Sequence, residues 1–391
     1  MFPMWCQPTE EAIRPPAVSL SESSNMCDVN TGSELHDAVR RQDVDAVQRL
    51  LAQGADPDEP DWSGCGNAPL LNAAALGSVQ IVRALCAGGC NVNIRTARGE
   101  TALHLAVTSR KTSDNTQELV AALLDVGCDA NIQDNLQGWT ALHALVRQLV
   151  DPTSSSCPHV LETLKQLACR CDVNLQDHRK RTPLHRLAGS GCTSLDAFKV
   201  LLECGADPSI QNDRGETALH EALERDAQGS SDAVTLLVKA GTDLSRCTSY
   251  RETPLHLAAR KNRPGIVAML LDKRAPPNAQ DLRGNTALHL AAGRGYREVV
   301  RLLLAAPHVQ LNAPNKDGLT PLHIAVESGF INVVEMLLQA DACDLTARTK
   351  LSQTPLDLAQ QEYRRRSQPE MTRVLTQEIE RRRSHGNAKQ C

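Results

Sequence analysis

Twelve histidines and fourteen cysteines make metal binding the first chemistry to consider, since both residue types are common zinc ligands. Eight of the histidines, however, recur at one position of a repeated sequence pattern. They are His36, His104, His143, His185, His220, His256, His289 and His323. No two cysteines form a C-x-x-C pair, which is a frequent spacing in structural zinc sites. The spacing therefore does not predict a metal centre.

Three of the cysteines, Cys90, Cys128 and Cys171, occupy a position at which other repeats carry Ala55 and Ala206. They are predicted to be small core residues. Equivalent positions in stacked repeats lie about 8 to 10 Å apart, whereas a disulfide needs Cα atoms within about 4.4 to 6.8 Å and zinc needs sulfur at about 2.3 Å. We therefore expect neither disulfides nor zinc at these positions, and no cofactor.

Motifs of the common catalytic sites are missing from the sequence. There is no G-x-x-x-x-G-K-[ST] phosphate loop, no G-x-S-x-G nucleophile elbow and no H-E-x-x-H zinc motif. The segments outside the repeated region, about 31 and 8 residues long, are too short for a catalytic domain. We therefore predict that the chain is not an enzyme.

Composition excludes several classes of protein. Aromatic residues make up 2% of the chain and hydrophobic residues 41%, so the core must consist mainly of Leu, Ala and Val, which disfavours immunoglobulin-type sandwiches. A net charge of -4 excludes a generally basic nucleic-acid-binding surface. No apolar run reaches the roughly 18 to 20 residues of a membrane-spanning helix, and residues 1–20 do not resemble a secretory signal. We expect a cytoplasmic protein with reduced thiols.

The strongest signal is a four-residue string that recurs about every 33 residues. It reads T-A-L-H, T-P-L-H or T-P-L-D, with two weaker copies that begin at Ser33 and Ala68. The full copies begin at Thr101, Thr140, Thr182, Thr217, Thr253, Thr286, Thr320 and Thr354. Ten repeats are therefore visible.

Each repeat is predicted to contain two short helices and a loop. The threonine is a good N-cap, and a following proline such as Pro183 fits the first helical position. A second apolar run, such as 299–304, has the spacing of one helical face, and glycines such as Gly205 end it. Helices of about 8 to 10 residues are too short to be stable alone, so neighbouring repeats must stack into a solenoid.

These residues resemble the ankyrin-repeat family, whose T-P-L-H-x-A signature and L-L-x-x-G-A-D helix end are close to 286–291 and 201–207. The resemblance covers residues 32–383 and implies an all-α solenoid of stacked helix-turn-helix ankyrin repeats with β-hairpin loops, about ten units including two end caps. It also implies that the recurring histidine braces neighbouring hairpin loops. Lys180, Arg251 and Ser352 depart from the pattern, because they stand where the hairpin glycine is expected.

The predicted organisation has three parts. Residues 1–31 form a flexible N-terminal arm, residues 32–383 the repeat domain, and residues 384–391 a disordered tail. The repeats lie near 33–67, 68–100, 101–139, 140–181, 182–216, 217–252, 253–285, 286–319, 320–353 and 354–383.

Nearly every hairpin tip carries a basic residue, so that the basic residues are spaced about one repeat apart. These residues are Arg98, Arg179, Lys180, Arg181, Arg214, Arg251, Arg283, Lys316 and Lys350. Their alignment predicts a positive stripe for an acidic segment of a partner protein. The alternative is that the bases only keep the hairpins soluble. Nearby acids such as Asp213, Asp281 and Asp317 also partly cancel their positive charge.

Trp139 stands directly before a helix cap, where other repeats have residues such as Glu100 or Asn285. This position predicts a surface indole, and tryptophan is enriched at binding hot spots. The alternative is that Trp139 packs on the long fourth repeat.

Three asparagines, Asn93, Asn131 and Asn174, are candidate hydroxylation sites. Each lies in a loop that resembles the L-x-x-G-x-D-V-N context used by the asparaginyl hydroxylase of ankyrin loops. Asn174 matches least, because Gln166 stands in place of the leucine.

The resemblance implies a non-enzymatic scaffold or adaptor, a monomer that binds one or more proteins on its concave face, without nucleic-acid binding or membrane insertion. One alternative is a nuclear regulator of transcription factors resembling the inhibitors of the Rel factors, although residues 1–31 lack a D-S-G-x-x-S string. The arginine clusters 364–366 and 381–383, which resemble a loose two-part import signal, leave nuclear localisation open beside the cytoplasm. The other alternative is a ubiquitin-ligase substrate adaptor, although residues 377–391 are short and charged for a recruiting box.

Overall fold

The computed structural model describes residues 31–62, 65–109, 115–149, 158–190, 194–225, 231–340, 342–366 and 369–388. The predicted N-terminal arm therefore lies outside the described residues, apart from Thr31 at the start of the first helix. No helix in the described ranges combines the length and the apolar character needed to cross a membrane.

The described residues form twenty α-helices and no β-strand. The helices are α1 (Thr31–Arg41), α2 (Val44–Ala52), α3 (Pro69–Leu76), α4 (Val79–Ala87), α5 (Ala102–Thr108), α6 (Thr116–Asp125), α7 (Ala141–Gln148), α8 (Pro158–Ala168), α9 (Pro183–Gly189), α10 (Leu195–Glu203), α11 (Ala218–Arg225), α12 (Ser231–Lys239), α13 (Pro254–Arg260), α14 (Pro264–Asp272), α15 (Ala287–Ala292), α16 (Arg297–Ala305), α17 (Pro321–Ser328), α18 (Ile331–Leu338), α19 (Pro355–Arg366) and α20 (Pro369–Ala388).

The helices pair into ten units that stack in two layers. The first helix of each unit packs against the first helix of the next, from α1 through α19, and the second helices stack in the same way from α2 through α20. Leu, Ala and Val side chains dominate the buried core between the layers, and Phe198 is the one fully buried ring of Phe, Tyr or Trp in the described part of the chain. The predicted all-α solenoid is confirmed.

The recurring threonine and histidine start each first helix and join it to the next unit. In α7, the Thr140 side chain accepts a hydrogen bond from the His143 backbone, and His143 Nδ1 accepts one from the Thr140 backbone N–H. His143 Nε2 donates to the carbonyl oxygen of Arg181, 3.0 Å away at the end of the next hairpin. The same link joins His104 to the Trp139 carbonyl oxygen at 2.9 Å. The histidine is therefore a structural brace between units.

Where the structure describes them, the loops between units are tight turns without the strands that β-hairpin loops would contain. Within the loop that contains Arg98, the Thr96 N–H donates to the carbonyl oxygen of Glu100 at 2.8 Å. The next loop is joined to it by the Asn135 N–H, which donates to the Arg98 carbonyl oxygen at 2.8 Å. Each loop is too short to extend this pairing into a ladder. We keep the name hairpin for these turns.

The residues that replace the hairpin glycine keep the same backbone geometry. Lys180 and Arg251 have φ values of 55° and 59°, and Gly215 has a φ of 71° at the equivalent position. Side chains other than glycine tolerate this left-handed region at a modest cost in free energy. The loop shape therefore persists where the sequence pattern breaks.

The final helix differs from the predicted disordered tail. Helix α20 runs to Ala388, so residues 384–388 are helical rather than disordered. Arg382, within this helix, donates to the carbonyl oxygens of Leu338 at 2.9 Å and Cys343 at 2.5 Å, and pairs with Glu378 at 2.7 Å. Because these contacts satisfy carbonyl groups at the end of α18 and in the loop that follows it, they attach the C-terminal helix to the array.

Candidate protein-binding groove

A groove with a volume of about 1380 Å³ runs between the hairpin tips and the first helices of units four to eight. It extends from Arg147 at the end of α7 to Arg294 just after α15. Stacking of the units creates this groove, because it places the hairpins in one row and the first helices in another.

Arginine dominates the charge of the groove lining. The arginines that line it are Arg147, Arg179, Arg181, Arg186, Arg214, Arg225, Arg260, Arg283 and Arg294. The acidic residues that line it are Asp213, Glu216, Glu221, Glu224, Glu252 and Asp281. Nine positive and six negative groups leave a formal charge of +3, in contrast to the net charge of -4 of the whole chain. Several acids are engaged within the groove, for example Glu252, which lies 3.6 Å from Arg260. The groove is therefore suited to an anionic ligand.

Trp139 is half-buried instead of standing exposed as the sequence predicts. Its ring lies beneath two arginines of the groove, with Arg186 Cζ 4.0 Å and Arg147 Cζ 5.4 Å from the ring centroid. Such cation–π contacts are attractive, and they shield the indole from solvent. Trp139 supports the groove wall, which agrees with the alternative that it packs on the fourth unit.

Asp177 gathers the arginines next to Trp139. Its Oδ1 accepts hydrogen bonds from the backbone N–H groups of Arg179 and Arg181, both at 2.9 Å, and thereby shapes the hairpin. Its Oδ2 lies 3.4 Å from Arg181 Nε and 3.6 Å from an amino group of Arg186. Burial, followed by repulsion from Arg181, lowers the pKa of Arg186 to about 10. The cluster holds more positive charge than Asp177 balances.

Arg186 and Glu221 occupy the same repeat position on the neighbouring helices α9 and α11, where other units carry Leu257 and Leu290. Glu221 Oε1 accepts a hydrogen bond from Asn212 Nδ2 at 3.0 Å. Burial raises the pKa of the Glu221 carboxyl group to about 7. Polar groups thus replace the usual apolar surface of the first helices at this point.

Two apolar side chains project from adjacent hairpins in the part of the groove away from Trp139. Tyr250 is 67% exposed and Leu282 is 45% exposed, and both line the groove. The Leu282 N–H donates to the Tyr250 carbonyl oxygen at 2.9 Å, which fixes the two hairpins side by side. The sequence analysis missed this pair. The available signal was Tyr250 at a tip position where the neighbouring hairpins carry Arg214 and Arg283.

The predicted basic residues divide into two groups. Those that line the groove are Arg179, Arg181, Arg214 and Arg283. Those that are exposed on hairpins but do not line it are Arg98, Lys180, Arg251 and Lys316. Arg98 shares the repeat position of Arg179, Arg214 and Arg283 but lies on a hairpin before the groove begins. The positive stripe remains a prediction.

The candidate hydroxylation sites are parts of a row of loop-to-loop hydrogen bonds. Asn93, Asn131 and Asn174 each accept, through Oδ1, a backbone N–H of the next unit at 2.7 to 2.8 Å. Asn278 and Asn312 make the same contact at 2.7 and 2.8 Å, which the sequence analysis did not identify. These asparagines hold neighbouring loops together.

The three cysteines at the position where other repeats have alanine lie in the core or at its edge. Cys90 and Cys128 are buried and Cys171 is partly buried. Burial raises the pKa of the Cys128 and Cys171 thiols to about 12. In the described part of the chain, no three His, Cys, Asp or Glu side chains are arranged to hold a metal ion.

The family model described as "Ankyrin repeats (3 copies)" matches residues 35–134, 154–246, 192–281, 255–349 and 307–380. Together these matches cover most of the chain. The chain belongs to the ankyrin-repeat family. Ankyrin repeats are protein-binding units, so the groove belongs to a protein-binding repeat array.

Curated relatives share the repeats but are much longer proteins. The E3 ubiquitin-protein ligase KEG of Arabidopsis thaliana is 26% identical in an alignment that covers 70% of this ankyrin chain and 18% of the ligase. Neurogenic locus notch homolog protein 1 of Danio rerio is 42% identical over 30% of the chain and 5% of the relative. Neurogenic locus notch homolog protein 2 of Homo sapiens is 42% identical over 28% of the chain and 4% of the relative. The chain thus spans less than a fifth of these relatives.

Proposed function

We propose that this ankyrin array is a non-enzymatic adaptor that binds an extended acidic segment of a partner protein in the groove of units four to eight. A hydrophobic residue of the segment contacts Tyr250 and Leu282, and acidic residues on either side meet Arg214 and Arg283. The observation that carries the proposal is this exposed apolar pair on a groove in which nine arginines outnumber six acidic residues.

The two kinds of contact have different effects on binding. Burial of Tyr250 and Leu282 removes apolar surface from water and so lowers the dissociation rate. The arginines attract an acidic segment over longer distances and so raise the association rate, an effect that salt screens. The charge of the groove therefore favours an acidic partner, while the apolar pair fixes its register.

Peptide display against the immobilised full chain tests the proposal. Selected peptides should combine a hydrophobic residue with Asp or Glu, and Tyr250→Ser or Leu282→Ser should weaken them about tenfold or more. Leu351→Ser is the matched control, since Leu351 is 80% exposed on a hairpin outside the groove. Peptides that bind all three variants like the wild type would contradict the proposal.

Charge reversal tests the arginines separately. Arg214→Glu and Arg283→Glu should slow association at low salt, whereas Arg98→Glu, on an exposed hairpin outside the groove, should not. Equal association rates for the three variants, measured by surface plasmon resonance, would argue against an acidic partner.

A role as substrate adaptor for a ubiquitin ligase is the second candidate, because the ankyrin chain aligns over 70% of its length with the ligase KEG. It predicts that the full chain binds a ubiquitin ligase subunit while its groove holds a substrate. Reconstituted ubiquitin transfer to a groove-binding peptide fusion, with Tyr250→Ser as control, tests this role.

The nuclear regulator alternative and the cytoplasmic location remain proposals, which imaging of the tagged full chain with and without the 381–383 cluster would test.

A further inference from the structure

The basic cluster beside Trp139 contains more positive charge than its surroundings neutralise. Arg147 and Arg186 both lie over the Trp139 ring, and Arg181 and Arg186 both face the single carboxylate of Asp177. The cluster thus contains three guanidinium groups, two of which face the Asp177 carboxylate. Before Glu221 on the neighbouring helix is counted, the formal excess is about +2.

Burial makes this excess charge costly. The side chains of Arg181 and Arg186 are 24% and 14% exposed, and Arg186 repels both Arg181 and Arg147. Within the described residues, Arg186 Nε and Trp139 Nε1 are buried without a hydrogen-bond acceptor. Arg181 Nε is also buried, and its contact with Asp177 Oδ2 at 3.4 Å is an ion pair without hydrogen-bond geometry. An anion that enters from the groove side would relieve the repulsion.

Glu221 lies on the neighbouring first helix, and Arg181 and Arg186 both act on its charge. Because burial raises the pKa of its carboxyl group to about 7, Glu221 is only partly ionised near neutral pH and balances the cluster incompletely. Further positive charge comes from Arg179, which is exposed on the same hairpin as Arg181.

We propose that Arg147, Arg181 and Arg186 recognise a phosphorylated side chain of the segment that the groove binds. A phosphate monoester carries a charge of about -1.5 to -2 and so matches the excess of the cluster, whereas a carboxylate supplies only about -1. Arginine also presents paired donors that suit the oxygens of a phosphate group. The proposal rests on the proposed function, since it assigns the other end of the same groove.

The repeat spacing sets the distance between the two ends of the bound segment. The Arg181 hairpin and the Tyr250 hairpin are two repeats apart, or about 16 to 20 Å at 8 to 10 Å per repeat. An extended chain spans about 3.3 Å per residue, so the phosphorylated residue lies about five or six residues from the hydrophobic one.

Trp139 provides a direct readout that needs no partner. The full chain has three tryptophans, and the double variant Trp5→Phe, Trp62→Phe leaves Trp139 alone. Titration with N-acetyl-phosphoserine amide at constant ionic strength should change Trp139 fluorescence and saturate. N-acetyl-serine amide should have no effect, and sulfate should have a weaker one. An identical response to sulfate and to phosphoserine, or no response, would overturn the proposal.

Arg186→Leu is the decisive variant, since Leu257 and Leu290 occupy the same position in other units and the array accepts leucine there. It should weaken phosphoserine binding about ten- to a hundredfold, while Arg297→Leu, on the exposed surface of α16, should not.

Peptides that carry Ser, Glu or phosphoserine five or six residues from a hydrophobic residue complete the test. Wild type should prefer the phosphoserine peptide by tenfold or more over the glutamate peptide, and Arg186→Leu should remove the preference. Peptides bound through Tyr250 with no such preference would overturn the phosphate site and leave the groove function standing. If the chain still responds to phosphoserine but Tyr250→Ser leaves peptide binding unchanged, the result would instead contradict the groove function alone.

Discussion

The guanidinium group of Arg186 lies over the indole ring of Trp139, with Cζ 4.0 Å from the ring centroid. We predict that Trp139→Ala lowers the free energy of unfolding by about 2 kcal/mol, because it removes packing beneath two arginines and leaves their charge without the ring. Urea denaturation of the full chain measures this change.

Trp62→Ala is the matched control for that prediction. Trp62 is 83% exposed, so its loss should change the free energy of unfolding by no more than about 0.5 kcal/mol. Equal effects of the two substitutions would mean that the Trp139 indole does not support the groove wall.

Acid should destabilise the array through its bracing histidines. Burial lowers the pKa of His143, His185, His220 and His289 to about 4. Since the unfolded pKa is about 6.5, the unfolded chain binds protons first, and stability is full above pH 6.5 and is lost as the pH falls towards 4. Each histidine should cost at most about 2 kcal/mol between pH 7 and pH 5.

His143→Leu tests the origin of this pH dependence, since Leu71 occupies the histidine position in the second unit. The variant should show a smaller loss of stability between pH 7 and pH 5 than the wild type, in urea denaturation at each pH. His159→Leu, at an exposed position, should keep the wild-type slope. An unfolding free energy that does not vary over this range would be inconsistent with neutral, buried histidines.

Glu221 should act in the opposite direction. Its pKa is raised from 4.5 to about 7 by burial, so the folded chain holds the proton longer, and this contribution to stability is lost as the pH rises from 4.5 through 7. Glu221→Leu should therefore stabilise the array by about 2 to 3 kcal/mol at pH 8 and by much less at pH 5. Glu221→Gln, which removes the charge and keeps the amide contact, separates the charge effect from the added apolar surface. A stabilisation that is independent of pH would contradict the raised pKa.

The repeated residues made the fold predictable. Thr140 and His143 recur in the same roles because every unit faces the same neighbour, so one physical explanation serves the whole array. The hairpin loops were predicted, although not that the described ones contain no strand. The end of α20 extends into the predicted tail. Both features depend on how many contacts a short segment makes. The Arg382 contact to the Leu338 carbonyl oxygen at the end of α18, for example, joins segments that no repeat pattern connects.

The groove was only partly predictable. Arg179, Arg181, Arg214 and Arg283 were identified from their repeat position, and all four line the groove. Trp139 was expected to be exposed because the sequence does not show that Arg186 and Arg147 cover it. Tyr250 and Leu282 were missed because they occupy variable tip positions, where the exposure of a side chain depends on the stacking of neighbouring hairpins.

Hydroxylation of Asn93, Asn131 and Asn174 remains a prediction. Their side chains join neighbouring loops, so the enzyme must open these contacts, and we expect slow modification that increases when the array is destabilised. Mass spectrometry after incubation with the asparaginyl hydroxylase should detect the addition of one oxygen atom on these residues. Complete lack of modification in both the folded and the destabilised chain would remove the prediction.

The central claim is that the groove of units four to eight binds an extended protein segment. Deuterium exchange of the full chain, with and without a peptide selected by display, tests it most directly. We expect slower exchange in the hairpins 212–217, 248–253 and 281–286 and in the first helices between them when the peptide is bound. Protection confined to second helices such as Pro264–Asp272 and Arg297–Ala305, with no change at those hairpins, would contradict it.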